Sequence, residues 1–577
     1  MRHWISGTRI GRPLHDAAQS RAGDEAAVAS GDTWSALMDR AAGHLARGVV
    51  RVAGRQVGLQ VVVVVGKGNN GGDGWAAARR LRDLDADVVV ASVVPTDTPM
   101  SDEAAAHRRA WLESGGHTVV GVTAIDELLG DPDPDPADQP DVVVDCLLGT
   151  GIDGAPRGDV GQACVAINTA HSHRVTVVAC DVPSGVASDT GAAPGDAVHA
   201  DATVTMGEVK RGLVLHPGAA HAGLVLVGDL GRHHEAPDRD EQGHLWTRFD
   251  AHAAEPEPLD PAADKLARGR TLVVAGSVGT AGAAVLATRG ALWSGAGLTT
   301  LATPAHVQRV IAPVVPSAMT RPLRHQQEHV GPDAVAQLDD VHDFDAVAAG
   351  PGLGPTDGTR AVVDHLRRHA RRLVLDADAI NVHRDDPAAL ADHAGALVLT
   401  PHERELARLG VGRDGADAWA HRVERLPQLA ADLDAVIVAK GPGTIVADPS
   451  GWCTVVPVGG PELGTGGTGD VLAGMIAAHV ASAPVDRPGA IGAAVARAVF
   501  LHAFTGAWLS LGRPRAEALV RRLDPPAGHT LASDGVPGPT VVGFGPSSAL
   551  PEAVPAAARV LSRVVAIEPR WPLAARA

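Results

Sequence analysis

The sequence predicts two α/β domains in series, each organised around a mainly parallel sheet. Short, uniformly apolar runs alternate with helical stretches in both halves, and strands without a polar side are covered on both faces, as in a parallel sheet. In each half a glycine-rich loop leads straight into an apolar helix, at Gly66–Gly74 and at Pro461–Asp470, which is how a strand hands over to a helix in a βαβ unit. Between the halves a stretch rich in His, Asp, Glu and Pro, Gly231 to Arg268, breaks the periodic pattern. The 577 residues therefore divide into a first domain over 1–230, a linker over 231–261 and a second domain over 262–577 that ends in a tail.

Residues 15–50 read as two amphipathic helices, with Ala26, Ala27 and Val28 on one and Trp34, Leu37, Met38 and Leu45 on the other. Five valines, Val61 to Val65, make the first strand, and after the glycine loop a helix is predicted from Trp75 to Leu84. Further strands are predicted at Asp87–Val94, Asp141–Leu148 and Val175–Ala179. The acidic proline run Asp131 to Pro136 reads as a surface loop. In the second half the strands are Thr271–Ala275, Leu298–Ala302, Ala346–Gly350, Leu373–Asp376, Ala396–Leu399 and Val436–Lys440. The uncharged stretch Thr271–Thr288 is long enough to span a membrane, but its glycines and serine cluster at Gly276 to Gly282, so it reads as strand, loop and helix. Alternating Gly, Pro and Ser from Gly528 to Ser548 break the last helical region, and the chain after about Val565 reads as a tail.

Composition excludes several functions. A net charge of -17 argues against a general nucleic-acid surface, whose footprint is a concentrated basic face. Four cysteines without a C-x-x-C pair exclude a disulfide scaffold and a zinc ribbon. The 27 histidines show no spacing that suits a metal. The opening residues carry no apolar core of signal-peptide length, so a soluble cytoplasmic protein without a membrane partner is expected, assembled as a homo-oligomer. Only four of the 50 basic residues are lysines, at 67, 210, 265 and 440. In a chain that has drifted to arginine, a retained lysine hints at a task the wide guanidinium fork cannot perform, most of all inside glycine motifs, as at Lys67 and Lys440.

The first-half loop, Gly66-Lys-Gly-Asn-Asn-Gly-Gly-Asp-Gly74, suits close approach to a phosphate at a helix start. It reads as neither a G-x-G-x-x-G fingerprint, because Asn69 departs from it and an Asp closes the loop, nor a P-loop, because no Lys-Ser/Thr pair follows the glycines. Two other strand ends carry carboxylates: Asp145 ahead of Gly149-Thr-Gly151, and Asp181 ahead of Pro183-Ser-Gly185. In a parallel sheet these ends face one crevice, where Asp73, Asp145, Asp181 and Ser184 can meet and their oxygens suit a hard cation. Cys146 and Cys180 read as buried small hydrophobes. In the second half, Gly464-Thr-Gly-Gly-Thr-Gly469 makes an anion hole of N–H groups at a helix start. Asp470 beside it can accept a hydroxyl proton as phosphoryl transfer begins. Lys440-Gly-Pro-Gly-Thr444 ends a strand with a cation and two glycines, which suits nucleotide phosphates.

These motifs carry a resemblance. Gly68-Asn-Asn-Gly-Gly-Asp-Gly74, Asp145 to Gly151, Asp181-Val-Pro-Ser-Gly185, Leu37 to Gly43 and Lys210-Arg-Gly-Leu213 resemble the NAD(P)HX epimerase family over roughly residues 15–230. The resemblance implies a Rossmann-like fold that interconverts the epimers of hydrated NADH and NADPH at carbon six of the nicotinamide ring. It implies contact with that nucleotide by Asn69, Asn70, Gly71, Gly72, Asp73, Gly149, Thr150, Gly151, Ile152, Asp153, Gly154, Ala155 and the catalytic Asp181, and potassium ligation by Asn70, Asp145 and Ser184. Gly276 to Ala284, Ala349 to Gly354, Asp376 to Asn381, Leu399 to Glu405 and the Asp470 loop resemble the ADP/ATP-dependent NAD(P)HX dehydratases, a ribokinase-like fold, over roughly residues 262–565. Here the implied reaction phosphorylates the ring hydroxyl of the S epimer, after which phosphate leaves. ADP is the expected donor, or ATP in its place, with magnesium. Lys440, Gly441, Pro442, Gly443, Thr444 and Gly469 would hold the adenine nucleotide, and Ala283, Gly352, His402 and Asp470 the hydrated substrate. The chain departs from the family at Glu403-Arg404, at Asp264 and in an inserted stretch from Gly535 to Pro551. The rival readings are a ribokinase-like kinase that releases a phosphorylated product, and a first domain that only binds. The kinase would not restore dihydronicotinamide absorbance, and a mere binding module has no need of Asn69, Asn70, Asp73, Asp145 and Asp181 together.

Overall fold

Valine-rich segments give the first sheet its seven strands: β1 (Gln60–Val65), β2 (Asp87–Ser92), β3 (His117–Val120), β4 (Val142–Cys146), β5 (Thr176–Cys180), β6 (Ala202–Met206) and β7 (Leu224–Gly228). They lie in the order β7-β6-β5-β4-β1-β2-β3, and every pairing is parallel. The computed structural model describes residues 4–5, 8–9, 11–131, 135, 139–152, 154–231, 239–249, 253–254, 262–412, 418–484, 489–511 and 547–567. The predicted site residue Asp153, the inserted stretch from 535 to 546 and the tail beyond 567 lie outside them.

Both faces of the first sheet are covered, which is why its strands tolerate unbroken valine. Helices α1 (Ala17–Ala29), α2 (Trp34–Ala53), α3 (Asn69–Asp83) and α4 (Asp102–Glu113) close one side through Ala27, Leu45, Val49, Trp75, Leu81 and Trp111. On the other side, α5 (Val122–Leu129) and α6 (Gly158–Ser172) contribute Ile125, Leu129 and Ile167. The Thr33 hydroxyl caps α2 by accepting from the Ala36 N–H at 3.1 Å. Leu37, Met38 and Leu45 face the core as predicted, but Trp34, in the first turn, is exposed. A second correction concerns α3, predicted to begin at Trp75. It begins at Asn69, so most of the glycine motif lies inside the helix.

The second sheet has eleven strands. They are β8 (Leu245–Arg248), β9 (Arg270–Val274), β10 (Leu298–Pro304), β11 (Met319–Leu323), β12 (Ala346–Ala349), β13 (Arg372–Leu375), β14 (Ala396–Leu399), β15 (Ala435–Ala439), β16 (Thr444–Ala447), β17 (Trp452–Val456) and a two-residue strand Arg12–Pro13. The order is β11-β10-β9-β12-β13-β14-β15-β16-β17-β8, with Arg12–Pro13 outermost. Pairing is parallel through β15 and antiparallel for β16 with both neighbours. One face packs on α7 (Ala281–Trp293), α9 (Thr468–Ala481), α10 (Ala490–Leu511) and α11 (Leu550–Ile567); α8 (Asp357–His369) packs on the other. The stretch Thr271–Thr288 resolves into the end of β9, a loop and the start of α7, as predicted. Helix α10 is long and apolar enough to cross a membrane, and 89% of its apolar window is buried inside the protein.

The segment predicted as linker carries structure. Its β8 pairs in parallel with β17, and Arg12–Pro13, from the far N-terminal end, pairs with β8. Leu14, Val182, Val186 and Leu213 to Leu215 of the first domain enter the same core as Ile445 and Val455 of the second. Burying an aliphatic side chain of this kind contributes about 1.5–3 kcal/mol, so the two domains are fastened by several such terms.

Candidate active sites

In the first sheet the strand order reverses between β1 and β4, the kind of topological switch outside which α/β sheets bind ligands. The loop after β1 and the carboxylates after β4 and β5 open there together. Contrary to the sequence reading, Gly66, Gly68 and Gly71 do stand at G-x-G-x-x-G spacing, and a Cβ on Gly71 would stand 2.1 Å from the Gly66 carbonyl oxygen, so no other residue permits this turn of α3. Asn70 is buried and donates from Nδ2 to the Leu148 carbonyl at 2.7 Å. Its Oδ1 is buried and has no hydrogen-bond partner among the described residues.

Asp145 is fully buried. It accepts from the Ser184 N–H at 2.8 Å, the Ser184 hydroxyl at 2.6 Å and the Leu147 N–H at 3.1 Å. Burial pushes its pKa up, against the pull of the Ser184 bonds. The Leu148 N–H in turn donates to Ser184 Oγ at 2.9 Å, so Asn70, Leu148, Ser184 and Asp145 form one connected patch. An orphaned amide oxygen, a buried carboxylate and a hydroxyl are hard oxygen donors, and the residues present fit a monovalent cation.

Asp181 follows β5 in the left-handed region, with a φ of 62°. It accepts from Lys210 Nζ at 2.5 Å, the Met206 N–H at 3.0 Å and the Thr205 hydroxyl at 3.2 Å. Lys210 is buried and also donates to the Met206 carbonyl at 2.8 Å. Asp73, in the first turn of α3, is held well above the usual carboxylate range by burial first and by the nearby Asp181 charge second. Asn69 is exposed and accepts from the Ser101 hydroxyl at 2.8 Å. Along Gly149 to Ala155 the described residues form a rim: Gly149 lies against the Asn70 side chain, and Ala155 packs on Gly195. Cys146 and Cys180 are buried with raised pKa values, as small hydrophobes are.

The second sheet reverses between β9 and β12. Gly276 N–H donates to the Pro351 carbonyl at 2.8 Å and the Thr280 hydroxyl to the Gly352 carbonyl at 2.7 Å. Ala283 and Gly352 meet there: a Cβ on Gly352 would stand 3.0 Å from that of Ala283. Further along the same edge, Lys440 Nζ donates to Asp376 at 2.8 Å, and the Thr400 hydroxyl donates to the same oxygen at 2.7 Å. Lys440 N–H donates to the Pro401 carbonyl at 3.1 Å. A Cβ on Gly469 would stand 3.4 Å from Lys440 Nζ, which puts the strand-end lysine against the start of α9.

Asp470 sits in the first turn of α9, whose cap position is Gly467. Burial, and then the Asp376 charge, push its pKa up to about 6 while Lys440 pulls it down. His402 caps the next helix, Glu403–Arg408: its Nδ1 accepts from the Arg404 and Glu405 N–H groups at 3.1 and 3.3 Å. Glu405 answers by accepting from the His402 N–H at 3.0 Å, so the Glu403-Arg404 departure leaves the turn closed. Gly441 and Pro442 are exposed, and the Thr444 hydroxyl donates to the Gly441 carbonyl at 3.1 Å.

Sequence reasoning left Asp376 and Lys210 without roles. Both could have been found, Asp376 as a strand-end carboxylate and Lys210 as one of four lysines. Lys67 and Lys265 are exposed; of the two lysines in glycine motifs, Lys440 is the one tied to a carboxylate among the described residues.

Residues 271–517 match the family described as NAD(P)H-hydrate dehydratase, and residues 35–212 match the family described as YjeF-related protein N-terminus. The chain is 34% identical over 450 residues to the bifunctional NAD(P)H-hydrate repair enzyme of Moorella thermoacetica, covering 76% of this chain and 82% of that one. The chain belongs to this family. The repair enzyme of Salinibacter ruber is 37% identical over 427 residues, covering 72% and 77%. That of Escherichia coli is 32% identical over 419 residues, covering 72% and 75%. A solved ADP/ATP-dependent NAD(P)H-hydrate dehydratase from Bacillus subtilis, co-crystallized with ATP/Mg2+, is 29% identical, covers 55% of this chain and 98% of that one, and superposes with a TM-score of 0.39.

Proposed function

We propose that this protein repairs hydrated NADH and NADPH in two steps, one per domain. The first domain, over 1–230, epimerises the R and S forms, and the second, over 262–577, dehydrates the S form with ADP, or ATP in its place. Chemical hydration yields both epimers, so a dehydratase that takes one needs the other recycled, and one chain then supplies both activities. The observation that carries the reading is the pair of switch-point crevices, each holding a carboxylate anchored by a rare lysine: Asp181 by Lys210, and Asp376 by Lys440.

In the first crevice Asn69 to Asp73 and the rim Gly149 to Ala155 would hold the nucleotide. Carbon six inverts when its bond to the hydroxyl oxygen breaks and re-forms on the other face of the ring, and a proton must reach and leave that oxygen. Asp181 is placed to carry it, with Lys210 fixing the carboxylate. Asn70, Asp145 and Ser184 would hold potassium, which would supply positive charge beside a doubly phosphorylated ligand.

In the second crevice the ring hydroxyl attacks the terminal phosphorus of the nucleotide, and Asp470 takes the hydroxyl proton. The bond to the leaving nucleotide breaks, giving AMP from ADP and a phosphorylated substrate. The ring nitrogen's electron pair then expels phosphate, and loss of a neighbouring ring proton restores NADH or NADPH. N–H groups of the Gly466–Gly469 turn would stabilise the transferring group. Lys440 to Thr444 and Gly469 would hold the adenine nucleotide, Ala283, Gly352 and His402 the hydrated ring. Magnesium is assigned to the nucleotide's phosphates, its usual mode of binding with few protein ligands. We further propose a cytoplasmic homo-oligomer that acts without nucleic acid or membrane. The test is product analysis with purified S epimer and ADP: AMP, phosphate and NADH should appear in equal amounts, and a stable phosphorylated product would favour a kinase instead.

A further inference from the structure

We propose that the first domain completes the nucleotide site of the second, with His216 as a positioning residue for the loop Gly441–Thr444 and an adenine nucleoside diphosphate as the ligand. The inference rests on the nucleotide reading of Lys440 to Thr444. Gly443 turns the loop with a φ of 63°. A Cβ built there would stand 3.5 Å from the Val214 carbonyl oxygen, 3.6 Å from the His216 ring and 3.7 Å from Val455. The apex of the loop therefore lies beside its own sheet on one side and beside the first domain on the other, with room for about one methyl group between them. Gly441 and Pro442, just before it, are exposed, and the Thr444 hydroxyl closes the turn on the Gly441 carbonyl at 3.1 Å, so Val214 and His216 are the neighbours that the first domain offers the turn.

The segment that presents His216 is itself firmly held. Lys210 is tied to Asp181. Arg211 reaches Asp16 at 3.1 Å and Asp240 at 3.0 Å and lies over the Trp246 ring at 5.5 Å. Leu213, Val214 and Leu215 are buried in the core that also contains Ile445 and Val455. A loop seated on such a wall loses less freedom when ligand binds, and ordering one loose side chain or loop position costs a binding partner about two- to tenfold in affinity.

The test uses the full chain and titrates ADP calorimetrically into wild type, His216→Ala, His216→Gln and Lys440→Ala. His216→Ala should weaken ADP binding about two- to tenfold, and His216→Gln, which keeps a planar polar group, should recover part of it. In turnover the KM for ADP should rise while kcat at saturating ADP holds. Unchanged ADP affinity in His216→Ala, with Lys440→Ala weakened, would overturn this inference and leave the nucleotide reading standing. Unchanged affinity in Lys440→Ala would overturn both. A fall in kcat with KM constant would also overturn it, because that is the mark of a packing defect and not of a seat for the nucleotide loop.

Discussion

Asp470→Asn separates chemistry from folding. Burial and Asp376 raise the Asp470 pKa from 3.8 to about 6. At 1.36 kcal/mol per unit, holding this carboxylate ionised costs the fold at most about 3 kcal/mol. The folded state binds the proton more tightly than the unfolded chain, so the penalty is fully present above pH 6. It fades as pH falls from about 6 to 3.8. Asparagine keeps the size and removes the charge, so Asp470→Asn should be more stable than wild type by up to about 3 kcal/mol near neutral pH, and no more stable below about pH 3.5. The same change removes the general base, and dehydration should fall roughly 10²–10⁴-fold. In wild type, dehydration should fall as pH drops below about 6, as Asp470 takes up its proton. Two measurements on one preparation decide the matter: urea denaturation at two pH values, and consumption of the S epimer with ADP. Near-normal dehydration would show that another group is the base. A variant less stable than wild type at neutral pH would show that the carboxylate is satisfied where it sits, and that the burial argument is wrong.

Lys440→Arg keeps the charge but replaces a compact ammonium with a wide fork beside Asp376 and Gly469; ADP affinity should drop and epimerisation should not, and equal affinity would make the lysine an accident of codon usage. Lys210→Met strands the Asp181 carboxylate and should destabilise the first domain by about 3 kcal/mol or more while epimerisation falls, both read on the full chain with S-epimer dehydration as the internal control. Potassium should raise the melting temperature relative to tetramethylammonium, because it would satisfy Asp145 and the orphaned Asn70 oxygen; the difference should vanish in Asp145→Asn, and a melting temperature indifferent to the cation would contradict the site.

What the sequence makes legible follows from how each signal arises. The buried strands β1, β4, β5, β9 and β12 are apolar because both faces are covered, and periodicity finds them. β3 has four residues with His117 and Val120 exposed at its ends, and β16 and β17 follow a glycine loop as antiparallel returns, so neither carries the unbroken apolar signature. β8 is hidden in a stretch whose composition reads as linker. Its four buried residues, Leu245 to Arg248, owe their strand to pairing with β17, a long-range contact that no local pattern announces. At the sites, Asp145 and Ser184 are legible because strand ends mark them, whereas Asn70 joins them only through the resemblance to the epimerase family. Lys210 and Asp376 are visible in the sequence as a rare lysine and a strand-end carboxylate, but their pairing with Asp181 and Lys440 depends on which strand ends and loops the fold brings together. The helical start at Asn69 was obscured because glycine, a poor helix former, fills three of the first six positions of α3.

One chain carrying both sites should return both hydrated epimers to the intact cofactor. The most direct measurement is the recovery of dihydronicotinamide absorbance from an equal mixture of R- and S-hydrated NADH, followed to completion with ADP in wild type and in Asp181→Asn. Wild type should restore essentially all of the absorbance, whereas Asp181→Asn should stop near half, with the R form left over. Full recovery in Asp181→Asn at the wild-type rate, against the slow spontaneous exchange of the epimers, would contradict the assignment of epimerisation to the first crevice. No recovery in wild type with either ADP or ATP would contradict the account as a whole.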